Sequence, residues 1–115
     1  MAAFMADQIH YQDPTMTYFK IPAIDLKGRD ATTKFWRDSF RDAEVIGLDY
    51  TITDCFQAGH VFMVDLQLLM EVAGSSWDVN HEQIQLDAKQ IMSLTIHDNK
   101  ITHQTDYVDY HSVNN

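Results

Sequence analysis

At 115 residues, 45% of them hydrophobic and 22% charged, the chain can bury one core and is too short for two, so residues 1–115 read as one domain. Its 17 Asp and Glu against 8 Lys and Arg leave a net charge of -9. That excludes the phosphate-neutralising surface of a nucleic-acid binder and an electrostatic grip on anionic membranes, and leaves a neutral or cationic ligand open. The single cysteine, Cys55, excludes an internal disulfide and a cysteine-based zinc site; with no basic leader and no bilayer-long apolar run, the expected setting is reducing and cytoplasmic.

In chain order, His10-Tyr11-Gln12-Asp13 reads as a short strand stopped by Asp13-Pro14. Gly28 then breaks the chain before a helix over about Asp30 to Ala43, whose Trp36, Phe40 and Ala43 recur at helical spacing beside Ala31 and Phe35. Lys34, Arg37, Asp38 and Arg41 occupy the opposite, solvated side, and Asp30 suits the positive end of the helix dipole. After Gly47 the period falls to two. Ile46, Leu48, Tyr50 and Ile52 alternate with polar residues as a half-buried strand, and Gln57-Ala58-Gly59 turns the chain. His60, Phe62, Val64, Leu66, Leu68, Met70 and Val72 share one face of a long strand. Its other face is a mixture of Val61, Met63, Asp65, Gln67, Leu69 and Glu71, the kind of surface that packs on a partner subunit.

Gly74 to Asp78 reads as a loop. In the next strand Ile84, Leu86, Ala88, Met92, Leu94 and Ile96 form an apolar face that Gln90 alone interrupts. His97-Asp98-Asn99-Lys100 is a tight hairpin, because Asp and Asn tolerate positive φ. A final strand from Ile101 to His111 sets Thr102, Gln104, Asp106, Val108 and Tyr110 against Ile101, His103, Thr105, Tyr107 and Asp109. Long antiparallel strands with one amphipathic helix make an α+β domain whose helix lies on one sheet face.

Three separated segments carry a resemblance: His10-Tyr11-Gln12-Asp13-Pro14; Gly28-Arg29-Asp30-Ala31 opening a helix with Phe35-Trp36; and Asp98-Asn99-Lys100-Ile101 followed by Asp106-Tyr107-Val108-Asp109-Tyr110. Together, from about Met5 to Tyr110, they resemble the NTF2-like superfamily, above all its SnoaL-like and ketosteroid-isomerase-like branches. The resemblance implies a cone, in which a strongly curved antiparallel sheet wraps on helices around a pocket for a small hydrophobic molecule. It also implies a homodimer through the outer sheet face. Members usually carry a longer helical stretch before the Asp-Pro strand; here only Met1 to Asp7 is available for it, so a shortened N-terminal helical region is expected.

By the same resemblance the pocket is lined by Tyr11, Trp36, Phe40, Phe62, Val64, Leu66, Met92, Leu94, Gln104 and Val108, with Asp13 and Asp106 as the catalytic candidates. Asp13 matches the general base of ketosteroid isomerase, since a carboxylate in an apolar pocket has a raised pKa and can carry a proton between carbons. Equally, an Asp before Pro caps a strand end. The partners that such an isomerase uses, a tyrosine and a protonated acid, are not evident, and the hairpin alignment puts Met92 where the second acid would stand. Asp106 resembles the acid/base aspartate of SnoaL-like cyclases; its other reading is a bond to Tyr110 or to the backbone at the cone mouth. No Arg follows Arg41, which disfavours the Asp-Arg-Asp water site of the epoxide-hydrolase branch.

The six histidines lack metal-ligand spacing, so no metal is expected. His10 and His60 are within reach of a pocket, and a dehydratase of this fold uses such histidines; a backbone bond for His60 is the alternative. Cys55 reads as a buried thiol, and without a glycine-rich phosphate loop no cofactor is expected. Two functions stand: a small-molecule pocket with Asp-based acid/base chemistry of isomerase, cyclase or dehydratase type, or a non-catalytic binding or dimerisation module filled by its own side chains.

Overall fold

The alternation of apolar and polar residues after Gly47 becomes three long strands in the computed structural model, which describes residues 4–39, 44–73 and 84–114. These strands are β3 (Glu44–Ala58), β4 (Val61–Ala73) and β5 (Ile84–His97). Before them come β1 (Met5–Asp13), a 3-10 helix (Pro14–Phe19), β2 (Ile24–Lys27) and α1 (Arg29–Ser39). After them follow β6 (Lys100–Val108), a 3-10 turn (Tyr110–Ser112) and the two-residue β7 (Val113–Asn114). The sheet runs β2-β1-β6-β5-β4-β3, with β7 pairing on β5. Every junction is antiparallel except β1 with β6, which is parallel.

The architecture is therefore α+β, a mostly antiparallel sheet with short helices. Register shifts between Val45 and Gly47, Ile52 and Asp54, and Thr95 and Ile96 insert bulges that bend the long strands. Asp98 and Asn99, at φ 51° and 63°, close the β5–β6 hairpin, as their tolerance of the left-handed region predicts. Gly59, at φ 61°, and His60 make the β3–β4 turn, so Gln57 and Ala58, read as turn from sequence, still belong to β3.

The inner face of the sheet holds the core. Leu66, Leu68 and Met70 of β4, Leu86 and Ala88 of β5, and Val108 of β6 are buried there with Met16 and Tyr110. Neighbours on the same strands, among them Asp65, Leu69, Asp87 and Tyr107, face outward and are exposed. A period of two on adjacent, registered strands can have no other outcome once one face is covered. α1 lies against β1 and β2, and the Trp36 ring meets the Tyr11 ring edge-on at 5.7 Å.

Three expectations need correction. Met5 to Asp7 are strand, paired through Met5 with Ile101 of β6, so these residues do not add to a helical region. The residue that α1 buries completely is Thr32, whose Oγ1 donates to the Gly28 carbonyl at 2.9 Å, while Ala31 is exposed; Phe40 and Ala43 lie outside the described residues, as does the Gly74–Asp78 loop. Cys55 is exposed, and so are Leu48, Tyr50 and Ile52 of the strand expected to be half-buried, because both faces of the edge strand β3 are uncovered over residues 48–58. Among the described residues, no helix is long and apolar enough to cross a membrane.

Candidate active site

Strand parity and one parallel junction assemble the site. Tyr11 and Asp13 are two apart on β1, and Gln104, Asp106 and Val108 are successive alternate residues on β6, so each set points to one side of its strand. Because β1 runs parallel to β6 with Tyr11 opposite Gln104, Tyr11 comes diagonally beside Asp106. Its hydroxyl donates to Asp106 Oδ2 at 2.7 Å, and the Gln104 amide donates to Asp106 Oδ1 at 3.2 Å. Tyr110 lies just past the end of β6 and donates its hydroxyl to Asp13 Oδ2 at 2.7 Å. Two carboxylates therefore each hold a tyrosine hydroxyl supplied by the other end of the chain.

Asp13 has a second task. It closes β1 in an extended conformation and caps the 3-10 helix that Pro14 opens, accepting from the Thr15 N–H at 3.0 Å and the Thr15 hydroxyl at 2.5 Å. The Thr15 hydroxyl oxygen in turn accepts from the Val108 N–H at 3.0 Å, which ties the end of β1 to the end of β6. Both readings of Asp13, cap and cavity carboxylate, thus describe the same side chain. Asp13 and Asp106 are 3% and 6% exposed, so each carboxylate is almost wholly out of bulk water.

Burial pushes the Asp106 carboxyl above the usual carboxylate range, and the charge of Asp13 pushes the same way. The bonds from Tyr11, Gln104 and Gln90 oppose that rise without cancelling it. Burial also pushes Tyr11 far above the ordinary phenol range, reinforced by the charge and hydrogen bond of Asp106. Tyr110 rises for the same reasons, with Asp13 as its partner. Both tyrosines therefore stay protonated and serve as donors to the two carboxylates, and burial favours the protonated form of Asp106.

These residues face a cavity of about 340 Å³, at the small end of ligand sites. Its walls include Trp36 and Thr33 of α1, Leu48 and Tyr50 of β3, Leu68 and Met70 of β4, and Leu86, Gln90 and Met92 of β5. Leu48 and Tyr50 are about half exposed (53% and 52%), so the mouth opens on the β3 side. Among the described residues no Lys, Arg or His lines it.

No protein-family model matches this chain, and no curated protein sequence does. Solved structures do match it. An NTF2-like protein of unknown function from Burkholderia pseudomallei superposes with a TM-score of 0.67 at 15% identity, over 93% of this chain and 74% of that one. A SnoaL-like polyketide cyclase candidate from Shewanella putrefaciens superposes with a TM-score of 0.79 at 16% identity, over 96% of this chain and 77% of that one. The fold is NTF2-like. A further neighbour, a Catenulispora acidiphila protein with a ketosteroid isomerase-like fold in complex with trimethylamine, gives 0.68 at 15% identity, over 92% and 70% of the two chains. At such identities the likeness is one of fold, and the chemistry has to be argued from the side chains.

Within this NTF2-like cavity, Tyr11, Trp36, Met92, Gln104 and Val108 from the sequence reading are brought together with Asp13 and Asp106. Phe62, Val64, Leu66 and Leu94 share the inner face but do not line the cavity: Leu66 is buried in the core cluster, Val64 packs against it, and Phe62 and Leu94 pair with each other towards the hairpin turns. Alternation tells which face a residue takes and not how far along the strand a cavity extends. Asp106 bonds Tyr11 and Gln104 rather than Tyr110. His60 takes its backbone alternative, its Nδ1 lying 3.1 Å from the Ile96 carbonyl, and His10 pairs with Asp25; neither lines the cavity. The sequence reading of the pocket lacked Tyr110, Tyr50 and Gln90, and of the apolar wall Met5, Leu48, Leu68, Met70 and Leu86. Tyr110 does share the parity of Asp106 and Val108, and Gln90 was already visible as the lone polar break in an apolar face.

Proposed function

We propose that this chain is a SnoaL-like pocket protein that binds a small, largely apolar molecule and moves a proton on it with Asp106. The observation that carries this reading is the pair of buried carboxylates, each holding a tyrosine hydroxyl, on the wall of one otherwise apolar cavity. A general base works best when its pKa is lifted towards the working pH, and burial lifts that of Asp106. Ionised Asp106 would take a proton from a carbon next to a substrate carbonyl and return it to another carbon, the step shared by isomerases and cyclases of enolisable compounds. Asp13, anchored by the Thr15 cap and Tyr110, would stay in place as the second carboxylate. A neighbour of the same fold that was solved with trimethylamine supports occupancy by a small ligand.

The test is solvent deuterium exchange into a panel of small enolisable ketones, followed by NMR. The native protein should accelerate exchange for at least one ketone that it binds, and Asp106→Asn should remove the acceleration while leaving binding of that uncharged ketone within a few-fold. Binding without exchange would favour the non-catalytic module instead.

The reading includes a homodimer through the outer sheet face, where Leu69, Ile91 and Tyr107 are 52%, 42% and 45% exposed. Asp49, Asp65 and Asp87 share that face, so association should strengthen with added salt. A monomer by light scattering at micromolar concentration would count against it. The exposed Cys55 thiol suits a reducing, cytoplasmic compartment.

A further inference from the structure

Three features of the cavity wall point to one ligand chemistry. First, Asp13 and Asp106 bring two carboxylates to it, and among the described residues no lining side chain carries positive charge. Buried charges are ordinarily paired, and these two repel each other instead. Second, Tyr11, Trp36, Tyr50 and Tyr110 surround the same space with aromatic rings, whose faces attract cations. Third, Gln104 is 5% exposed and its Oε1, shut off from solvent, has no hydrogen-bond partner. A buried acceptor left unmatched costs free energy that a donor would recover. The bonds that orient this amide, from Nε2 to the two oxygens of Asp106 at 3.2 and 3.4 Å, are long. Gln104 lines the cavity and the terminal torsion of a glutamine is soft, so the amide can turn to offer Oε1 to a donor there.

We propose that the molecule held in this cavity is a small protonated amine, its N–H donating to Gln104 Oε1 and its charge lying between Asp106 and Asp13 against the aromatic walls. The inference rests on the small-molecule reading above and names the ligand class. It distinguishes three candidate chemistries: a neutral apolar molecule leaves the carboxylates uncompensated, a quaternary ammonium compensates them but leaves Oε1 without a donor, and a primary to tertiary ammonium does both. A cation beside Asp106 also favours the ionised carboxylate that a general base requires.

The experiment compares three ligands of nearly one shape: N,N-dimethylbenzylammonium, benzyltrimethylammonium and isobutylbenzene, titrated by NMR at neutral pH. The tertiary ammonium should bind about tenfold or more tightly than either of the others, the size expected of a charge-assisted hydrogen bond. Gln104→Met should lower its affinity about tenfold relative to that of isobutylbenzene. Should that variant fail to fold, Asp106→Asn tests the charge alone, with the same selective loss expected. Tightest binding by isobutylbenzene would overturn the amine and spare the pocket. Equal binding of the two cations would overturn the bond to Gln104. No binding by any of the three would count against the small-molecule reading itself.

Discussion

Tyr110→Phe removes one oxygen from a buried network and leaves everything else in place. The ring keeps its contact with Phe19, centroids 5.0 Å apart, and its burial at the end of β6. What disappears is the 2.7 Å bond to Asp13 Oδ2. Asp13 keeps its two bonds from Thr15, but both go to Oδ1, so Oδ2 loses its hydroxyl donor in a setting that is 3% exposed. A hydrogen bond to a charged group contributes roughly 1.5–3 kcal/mol, so a loss of about 2 kcal/mol is expected. With an unfolding entropy of about 2.1 cal/mol/K per residue, a chain of this length melts about 8 °C lower for that loss. In urea the midpoint should fall by about 1 M at a slope near 2 kcal/mol/M. Tyr107→Phe is the control: its ring is on the outer face, 45% exposed, and the same deletion there should change stability by less than about 0.5 kcal/mol. If the two variants unfold at the same urea concentration, the Tyr110–Asp13 bond contributes nothing and the coupled carboxylates lose their structural basis.

Asp106→Asn should change the pH dependence of stability in a definite direction. Burial raises the Asp106 pKa in the folded protein, so the native state holds that proton more tightly than the unfolded chain; the resulting stability is complete below the ordinary carboxylate range and is lost as pH rises through the raised value. Asparagine does not titrate, so the variant should gain relative to the native protein as pH climbs through that window, and a difference flat with pH in urea titrations would contradict the reading. Leu86→Ala deletes a side chain that is 1% exposed in the core and on the cavity wall; a loss of about 2–5 kcal/mol by urea denaturation is expected. Gly28 has φ 99°, yet a Cβ added there would come no nearer than 3.9 Å to the Asp7 carbonyl oxygen, so Gly28→Ala should cost about 1–2 kcal/mol from the backbone alone. Gly47→Ala, where nothing lies within 4 Å, should cost less than Gly28→Ala in the same measurement.

The segments most legible in the sequence were those whose order comes from local rules. Alternation over β4 and β5 told which side chains turn inward, because a strand exposes its residues with a period of two whatever it packs against. Asp98-Asn99 named its own turn, since few residues accept positive φ. Gly28 and the apolar spacing after it placed α1, though Thr32, which lies outside that apolar stripe, is its best-buried described residue because its hydroxyl finds the Gly28 carbonyl. The 3-10 helix at Pro14–Phe19 and the short β2 went unread: neither has a periodic pattern of its own, and both exist because β1 and the end of β6 hold them.

The motifs and the resemblance they carry were thus enough to mark Asp13 and Asp106 as pocket carboxylates, and the net charge to argue against a nucleic-acid surface. Which hydroxyl each carboxylate holds was not available in them. Tyr11 meets Asp106 across 95 positions and Tyr110 meets Asp13 across 97, through a parallel junction whose register no nearby residue encodes. The extent of the cavity, and with it the displacement of Phe62, Val64, Leu66 and Leu94 from its wall, likewise depends on where the bent strands let α1 settle. Side-chain direction is a property of each strand; the meeting of two directions is a property of the folded sheet.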